Sequence, residues 1–171
     1  ILVGGGELIT SNMMAVTLAF FNKKVSLGML VKNFIIITLA NLVGAIFVAY
    51  FLGHVTGLTE GATFAKTIAT AESKVNATLW QGLFSGVGCN LLVGMGAWLS
   101  FCAKDVSGKI IGTWFPIMTF VAVGFQHVVA NMFVIPAAMF GGANITLLQF
   151  FNNMCVIFLG NFLGGALLVA G

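Results

Sequence analysis

The chain has 171 residues, of which 60% are hydrophobic and only 6% charged, with a net charge of +3. A soluble domain carries about 25% charged residues, so this composition cannot cover a water-facing surface and excludes a soluble enzyme, a nucleic-acid binder and a disordered linker. The seven cations are all lysines, set against three Glu and one Asp, and in a membrane protein lysines report topology rather than a polyanionic partner.

Charges and turn residues cut the sequence into five apolar blocks. The first runs from Ile1 to Phe21, interrupted by Gly4-Gly5-Gly6-Glu7. It opens on an apolar stretch already under way, with no Met, basic leader or cleavage site, which predicts a fragment without a signal peptide. The second runs from about Asn33 to Gly53, the third from about Ala77 to Phe101, the fourth from about Gly112 to Phe140, and the fifth from about Leu147 to Gly171. No charged residue occurs from Ile110 onward, room enough for two spans of about 20 residues. Helices are predicted throughout, because an isolated strand leaves its backbone groups unpaired in lipid. Cys89, Cys102 and Cys155 read as buried thiols, with no disulfide framework and no metal or cofactor spacing.

Loop charge sets the orientation. Lys23, Lys24 and Lys32 lie in one link, and Lys104, Asp105 and Lys109 in another; both are predicted to face the cytoplasm. In the link between them, Glu60, Lys66, Glu72 and Lys74 cancel, and 141–146 carries no charge. Trp80 and Trp98 stand 18 residues apart, roughly 27 Å along a helix, which suits two anchors at opposite interfaces of one span. Trp114 fits the same role.

An internal repeat organises the whole. Glu7-Leu8-Ile9-Thr10-Ser11-Asn12-Met13 aligns with Gln126-His127-Val128-Val129-Ala130-Asn131-Met132, and Ala40-Asn41-Leu42-Val43-Gly44 aligns with Gly160-Asn161-Phe162-Leu163-Gly164. The offsets are 119 and 120, so one register covers both. An odd number of spans separates the units, which therefore enter from opposite sides. Such an inverted repeat places a pathway near the midplane, between broken helices. Residues 1–53 read as an incomplete first unit and 77–171 as the second, within a single transmembrane channel domain. The second unit has a full helix and a half-helix ahead of its break, so six spans are expected in the intact protein, with an N-terminal part missing here. Small residues four apart, at Ala40/Gly44 and Gly160/Gly164, predict packing seams.

Gly6-Glu7-Leu8-Ile9-Thr10-Ser11-Asn12, Gly88-Cys89-Asn90-Leu91-Leu92-Val93 and Gly124-Phe125-Gln126-His127-Val128-Val129-Ala130-Asn131-Met132-Phe133 resemble the signature blocks of the formate/nitrite transporter family, which includes hydrosulfide channels. The resemblance spans essentially the whole chain. It implies an all-α membrane protein: an aquaporin-like six-helix inverted-repeat bundle with two broken helices, about five spans of which are present here. It further implies a homopentamer with one pore in each protomer.

His127 is the foremost candidate, as the only side chain in the uncharged C-terminal stretch that ordinarily titrates near neutral pH and the residue at the break. An ionisable residue in a span normally lines a cavity, and the resemblance makes it the central pore histidine, hydrogen-bonding the anion or protonating it. By the same resemblance Asn90 is its partner, and Thr10 marks the break of the first unit. Leu8, Phe120 and Val93 match apolar constriction positions; Ile9 stands where several relatives carry Phe. Phe120 precedes His127 by two helical turns, which predicts that both face one side. Lys74 matches a vestibule lysine that concentrates anions at the mouth. Glu7 is expected to bond backbone donors freed by the break, and His54 to lie inert in a loop.

The reading is a passive or proton-coupled channel for small monovalent weak-acid anions (formate, nitrite or hydrosulfide) in the lipid bilayer of a bacterial inner membrane, without a cofactor. A neutral-solute channel of aquaporin type is the alternative, opposed by the missing Asn-Pro-Ala tripeptides and pore Arg. Haem anchorage is opposed by the lack of a facing His pair.

Overall fold

The computed structural model describes residues 3–59 and 61–171. Ile1 and Leu2, where the first block begins, and Glu60, one of the loop charges, lie outside the described residues. Seven α-helices make up most of the rest. Helix α1 spans Ile9–Phe21; α2, Leu27–Phe47, runs on as a π-helix through Val48–Val55. Helix α3 spans Phe64–Val75, α4 Leu79–Cys102, α5 Val106–Val123 and α6 Val128–Phe140. Helix α7, Leu147–Phe162, likewise continues as a π-helix through Leu163–Val169.

Local chemistry sets the ends. Thr78 with Gln81, and Thr146 with Gln149, form capping boxes at α4 and α7, each satisfying two otherwise orphaned donors. Ser26 accepts from the Met29 N–H and Asp105 from the Gly108 N–H. These two caps start α2 and α5 six residues before the apolar blocks do, because a cap reads backbone donors and is indifferent to hydropathy. Lys109 therefore sits on α5 rather than in a link, its Nζ donating to the Ser100 carbonyl at 2.8 Å.

Among the described residues, four helices are long and apolar enough to cross a bilayer: Leu27–Val55, Leu79–Cys102, Val106–Val123 and Leu147–Val169. The fourth block is not one helix. It breaks at Gly124, which takes φ +82°, a left-handed value that costs glycine little; α5 ends there and the short α6 begins at Val128. In the first unit Gly5, 119 residues earlier, takes φ +77° ahead of the short α1. The link before α4 holds a helix that hydropathy does not announce: α3 is amphipathic and lies across the ends of α6 and α7, with Ala71 buried. His54 is not in a loop. It is half-buried on the π turn that ends the second span, its ring 5.8 Å from Tyr50.

Helix α4 is the centre of the packing, against α5, α7 with its π-helical end, and α1. Lipid is as apolar as leucine, so close backbone approach rather than burial holds such helices together. A Cβ on Gly86 would lie 3.1 Å from the Gly160 Cα, and one on Gly164 would run into the Val87 carbonyl. The Gly160/Gly164 seam is thus filled by α4, whereas Ala40 and Gly44 are exposed, with nothing within 4 Å of a Cβ on Gly44. Trp80, Trp98 and Trp114 point outward. Of the three thiols only Cys89 is buried; Cys102 and Cys155 are exposed.

Candidate functional site

The two breaks are built from the same hydrogen bonds. In the first, the Ile9 N–H donates to Asn41 Oδ1 at 2.9 Å while Asn41 Nδ2 donates to the Glu7 carbonyl at 3.1 Å. In the second, the Val128 N–H donates to Asn161 Oδ1 at 2.8 Å and Asn161 Nδ2 to the Gln126 carbonyl at 3.1 Å. A helix start leaves backbone donors unpaired, and in each unit one asparagine from the last helix answers them. A second set braces the same loops. Glu7 Oε2 accepts from Asn12 Nδ2 at 2.7 Å and Asn33 Nδ2 at 3.4 Å; Gln126 Oε1 accepts from Asn131 Nδ2 at 2.9 Å and Asn153 Nδ2 at 3.1 Å. The Glu7 side chain thus serves side-chain amides, not the backbone donors expected of it, because Asn41 already serves those.

Between the breaks lies the histidine. His127 is buried and is the N-cap of α6: its Nδ1 accepts from the Ala130 N–H at 3.1 Å, and its Nε2 stands 2.9 Å from Thr10 Oγ1. An Nδ1 that accepts carries no proton, so the neutral ring holds its proton on Nε2 and donates it to Thr10. Thr10 Oγ1 therefore faces the second unit instead of bonding back to its own helix. Phe120 stacks on the imidazole, centroids 5.5 Å apart at 18°. The contact does not arise from two turns of one helix, since α5 ends at Val123; the left-handed Gly124 folds the chain so that the ring meets His127 across the break.

Asn90, expected as the partner of His127, is one step removed. Its Nδ2 donates to the Thr10 carbonyl at 3.1 Å, the Asn161 carbonyl at 2.7 Å and Met13 Sδ at 3.5 Å, and a Cβ on Gly165 would collide with it. Three acceptors converge on that nitrogen, and Thr10 occupies Nε2 of the histidine, so Asn90 holds Thr10 rather than His127. Val93 is buried with Cys89 and Phe120 in a small apolar cluster. Leu8 is half-buried at the N-cap place of α1, the repeat position of His127, and Ile9 is fully buried in the main apolar cluster with Met13 and Val128.

A cavity of about 830 Å³ opens on the α3 side, lined among others by Lys74, Gln81, Ser85, Phe120, Phe125 and Gln126. Phe120 belongs to its wall and also covers the histidine. Lys74 lies outside the four membrane-length helices, and its partial burial holds the ammonium below the ordinary lysine value. Its carbonyl accepts from Asn153 Nδ2 at 2.8 Å, which ties α3 to the break. Gln126, Asn153, Asn161 and Asn41 escape a reading of single residues, because an amide in a span usually glues helices. The signal was the repeat register itself: at offset 120, Asn33 pairs with Asn153.

The sequence model of the formate/nitrite transporter family matches residues 1–171. The chain belongs to that family. It is 54% identical over 170 residues to an uncharacterised transporter, YrhG, of Bacillus subtilis (strain 168), covering 99% of this chain and 64% of that protein. It is 48% identical over 166 residues to the formate channel BtFdhC of Bacillus thuringiensis, covering 97% of this chain and 64% of that one. The chain thus spans 64% of the length of these two curated relatives. Among solved structures it is similar to an FNT family ion channel, with a TM-score of 0.93 at 28% identity over 99% of this chain and 69% of that one. It is also similar to a pentameric formate channel with formate bound, with a TM-score of 0.82 at 26% identity over 98% and 74% of the two chains. Its fold is the helical membrane fold of the formate/nitrite transporters, a family of transporters and channels.

Proposed function

We propose that the protein is a channel for small monovalent anions of weak acids, with formate, nitrite and hydrosulfide as the candidate cargo, and that the His127–Thr10 pair is the polar centre of its path. The buried 2.9 Å contact between Nε2 and Oγ1 carries this reading. It joins the two breaks, and it leaves the Thr10 hydroxyl proton without another acceptor among the described residues. With the imidazole donating to Oγ1, that hydroxyl turns its own proton toward an anion. Of the two roles open to the histidine, hydrogen bonding suits this geometry: a proton surrendered from Nε2 would leave an imidazolate, since Nδ1 is held by the Ala130 N–H.

A bare anion in an apolar slit loses several kcal/mol of solvation. Lys74 draws it toward the cavity, Phe120 and Val93 form the constriction on that side, and Leu8 and Ile9 form the one on the other. The two units run in opposite senses through the membrane, each contributing one broken helix to the pore. The relative that is a pentameric formate channel supports a homopentamer, and the bacterial relatives support the cytoplasmic membrane.

The test is flux into liposomes of formate, nitrite, hydrosulfide, chloride and glycerol through the purified full-length protein. The weak-acid anions are expected to cross far faster than chloride and glycerol, and His127→Phe to abolish that preference. Glycerol outrunning formate would overturn the proposal.

A further inference from the structure

The amide orientations around the second break are fixed by a main-chain atom. The Lys74 carbonyl only accepts, so Asn153 must present Nδ2 to it. The same Nδ2 lies 3.1 Å from Gln126, which must therefore present Oε1. Asn131 Nδ2 then donates to that oxygen and, at 2.8 Å, to Asn153 Oδ1. The first break obeys the same polarity independently, because the Glu7 carboxylate can do nothing but accept from Asn12 and Asn33.

Gln126 has one group left over. Its N–H donates to Ser85 Oγ at 2.9 Å, its carbonyl accepts from Asn161, and its Oε1 accepts twice. Its Nε2 has no hydrogen-bond partner among the described residues. The side chain is only 6% exposed, and it lines the 830 Å³ cavity together with Lys74. No carboxylate occurs among the described lining residues. At the equivalent place in the first unit, the second carboxylate oxygen of Glu7 stands instead.

We propose that Gln126 Nε2 and the Lys74 ammonium form an anion-binding subsite in this cavity, selective for a small monovalent carboxylate or a similar anion, through which cargo passes before it reaches the Phe120 constriction. Two amide hydrogens and one cation match the two oxygens of such an anion, and Asn153 sets both at once: its Nδ2 orients the Gln126 amide and bonds the carbonyl of Lys74. Gln126 is thus a specificity-determining residue of the outer vestibule, and the two mouths differ in sign at equivalent positions, donor at one and carboxylate at the other. The inference rests on the anion-channel reading for its cargo, but not for its site.

Two experiments decide it. In Gln126→Glu, Oε1 is retained as an acceptor and the Asn131 and Asn153 bonds survive, as they do around Glu7. The variant is expected to assemble, while half-saturation for formate presented from the α3 side rises roughly tenfold, the scale of one charged hydrogen bond. Formate presented from the other side should saturate as in the wild type. An unchanged half-saturation from the α3 side in an assembled variant overturns the proposal. The second experiment needs no variant and no transport: a crystal of the wild-type protein in bromide should show an anomalous peak between Gln126 Nε2 and Lys74 Nζ. An empty position there overturns the proposal even if Gln126→Glu fails to assemble. A wild type that binds bromide at this place but carries no formate would refute the channel reading and leave the subsite standing.

Discussion

Replacing Thr10 by Val removes one oxygen and keeps the shape. Thr10 is fully buried, and its carbonyl goes on accepting from Asn90 at 3.1 Å, so the loss is confined to the side-chain contact with His127. Two effects add: one hydrogen bond disappears, worth about 1 kcal/mol net, and the Nε2–H is left without an acceptor, worth about 1–3 kcal/mol when buried. The expected loss is about 2–4 kcal/mol in a reversible detergent-unfolding equilibrium, with Thr10→Ser close to the wild type. A double-mutant cycle isolates the contact. In a His127→Phe background no Nε2–H remains to be orphaned, so Thr10→Val should cost at least about 1 kcal/mol less than in the wild type. Formate flux should fall in Thr10→Val and survive in Thr10→Ser, because only the hydroxyl offers the anion a proton to bond. Equal costs in both backgrounds, or unchanged flux in Thr10→Val, would refute the assignment of Nε2–H as the donor and Thr10 as the group that meets the anion.

His127→Asn keeps an acceptor for the Ala130 N–H and an N–H donor for Thr10, so it should retain much of the formate flux that His127→Phe loses; parallel flux assays finding both equally inactive would show that a titratable ring is required. For Lys74, burial lowers the folded value below 10.5. As pH rises from that lowered value toward 10.5 the unfolded chain holds more protons than the folded one, so stability increases through this window while the anion-attracting charge is lost. Lys74→Gln should therefore abolish both the alkaline decline in formate uptake and the accompanying gain in stability. At neutral pH it should slow uptake by an amount that shrinks with salt, a charge at a wet mouth being screened over about 8 Å, and a loss indifferent to ionic strength would contradict this. Gly164→Val places a side chain against the Val87 backbone of α4 and should destabilise the bundle by about 1–3 kcal/mol or more, measured by the same unfolding equilibrium.

Much of this fold is legible in the sequence because the membrane permits few solutions. Long uncharged blocks forced helices, and the shared register of Asn12 with Asn131 and of Asn41 with Asn161 located both breaks. His127 stood out because an ionisable group in lipid needs a reason to be there. What escaped was set by groups that hydropathy does not weigh. Helix α3 is short and amphipathic, and its docking through Phe64 against Gly141 is a tertiary event. The Phe120–His127 stack arises across a turn, so helical spacing suggested the neighbour for the wrong reason. Asn90 could be placed near the histidine, but which of its atoms meets which partner depends on Thr10 standing between them. The amides of Gln126 and Asn153 have the composition of ordinary helix glue, and only their connection to the Lys74 carbonyl gives them a direction.

The wall around the second break is made of Gln126, Asn131, Asn153 and Asn161, all side-chain amides bonded to one another and to the backbone. An amide neither gains nor gives up a proton at physiological pH, so this hydrogen-bonded chain is an insulator rather than a wire. Carboxylates or histidines in the same positions would hold the loop as firmly and would also offer hopping sites from the cavity toward the core of the membrane. In any bilayer that carries a proton gradient, contacts of this kind brace the loop without offering the proton a path.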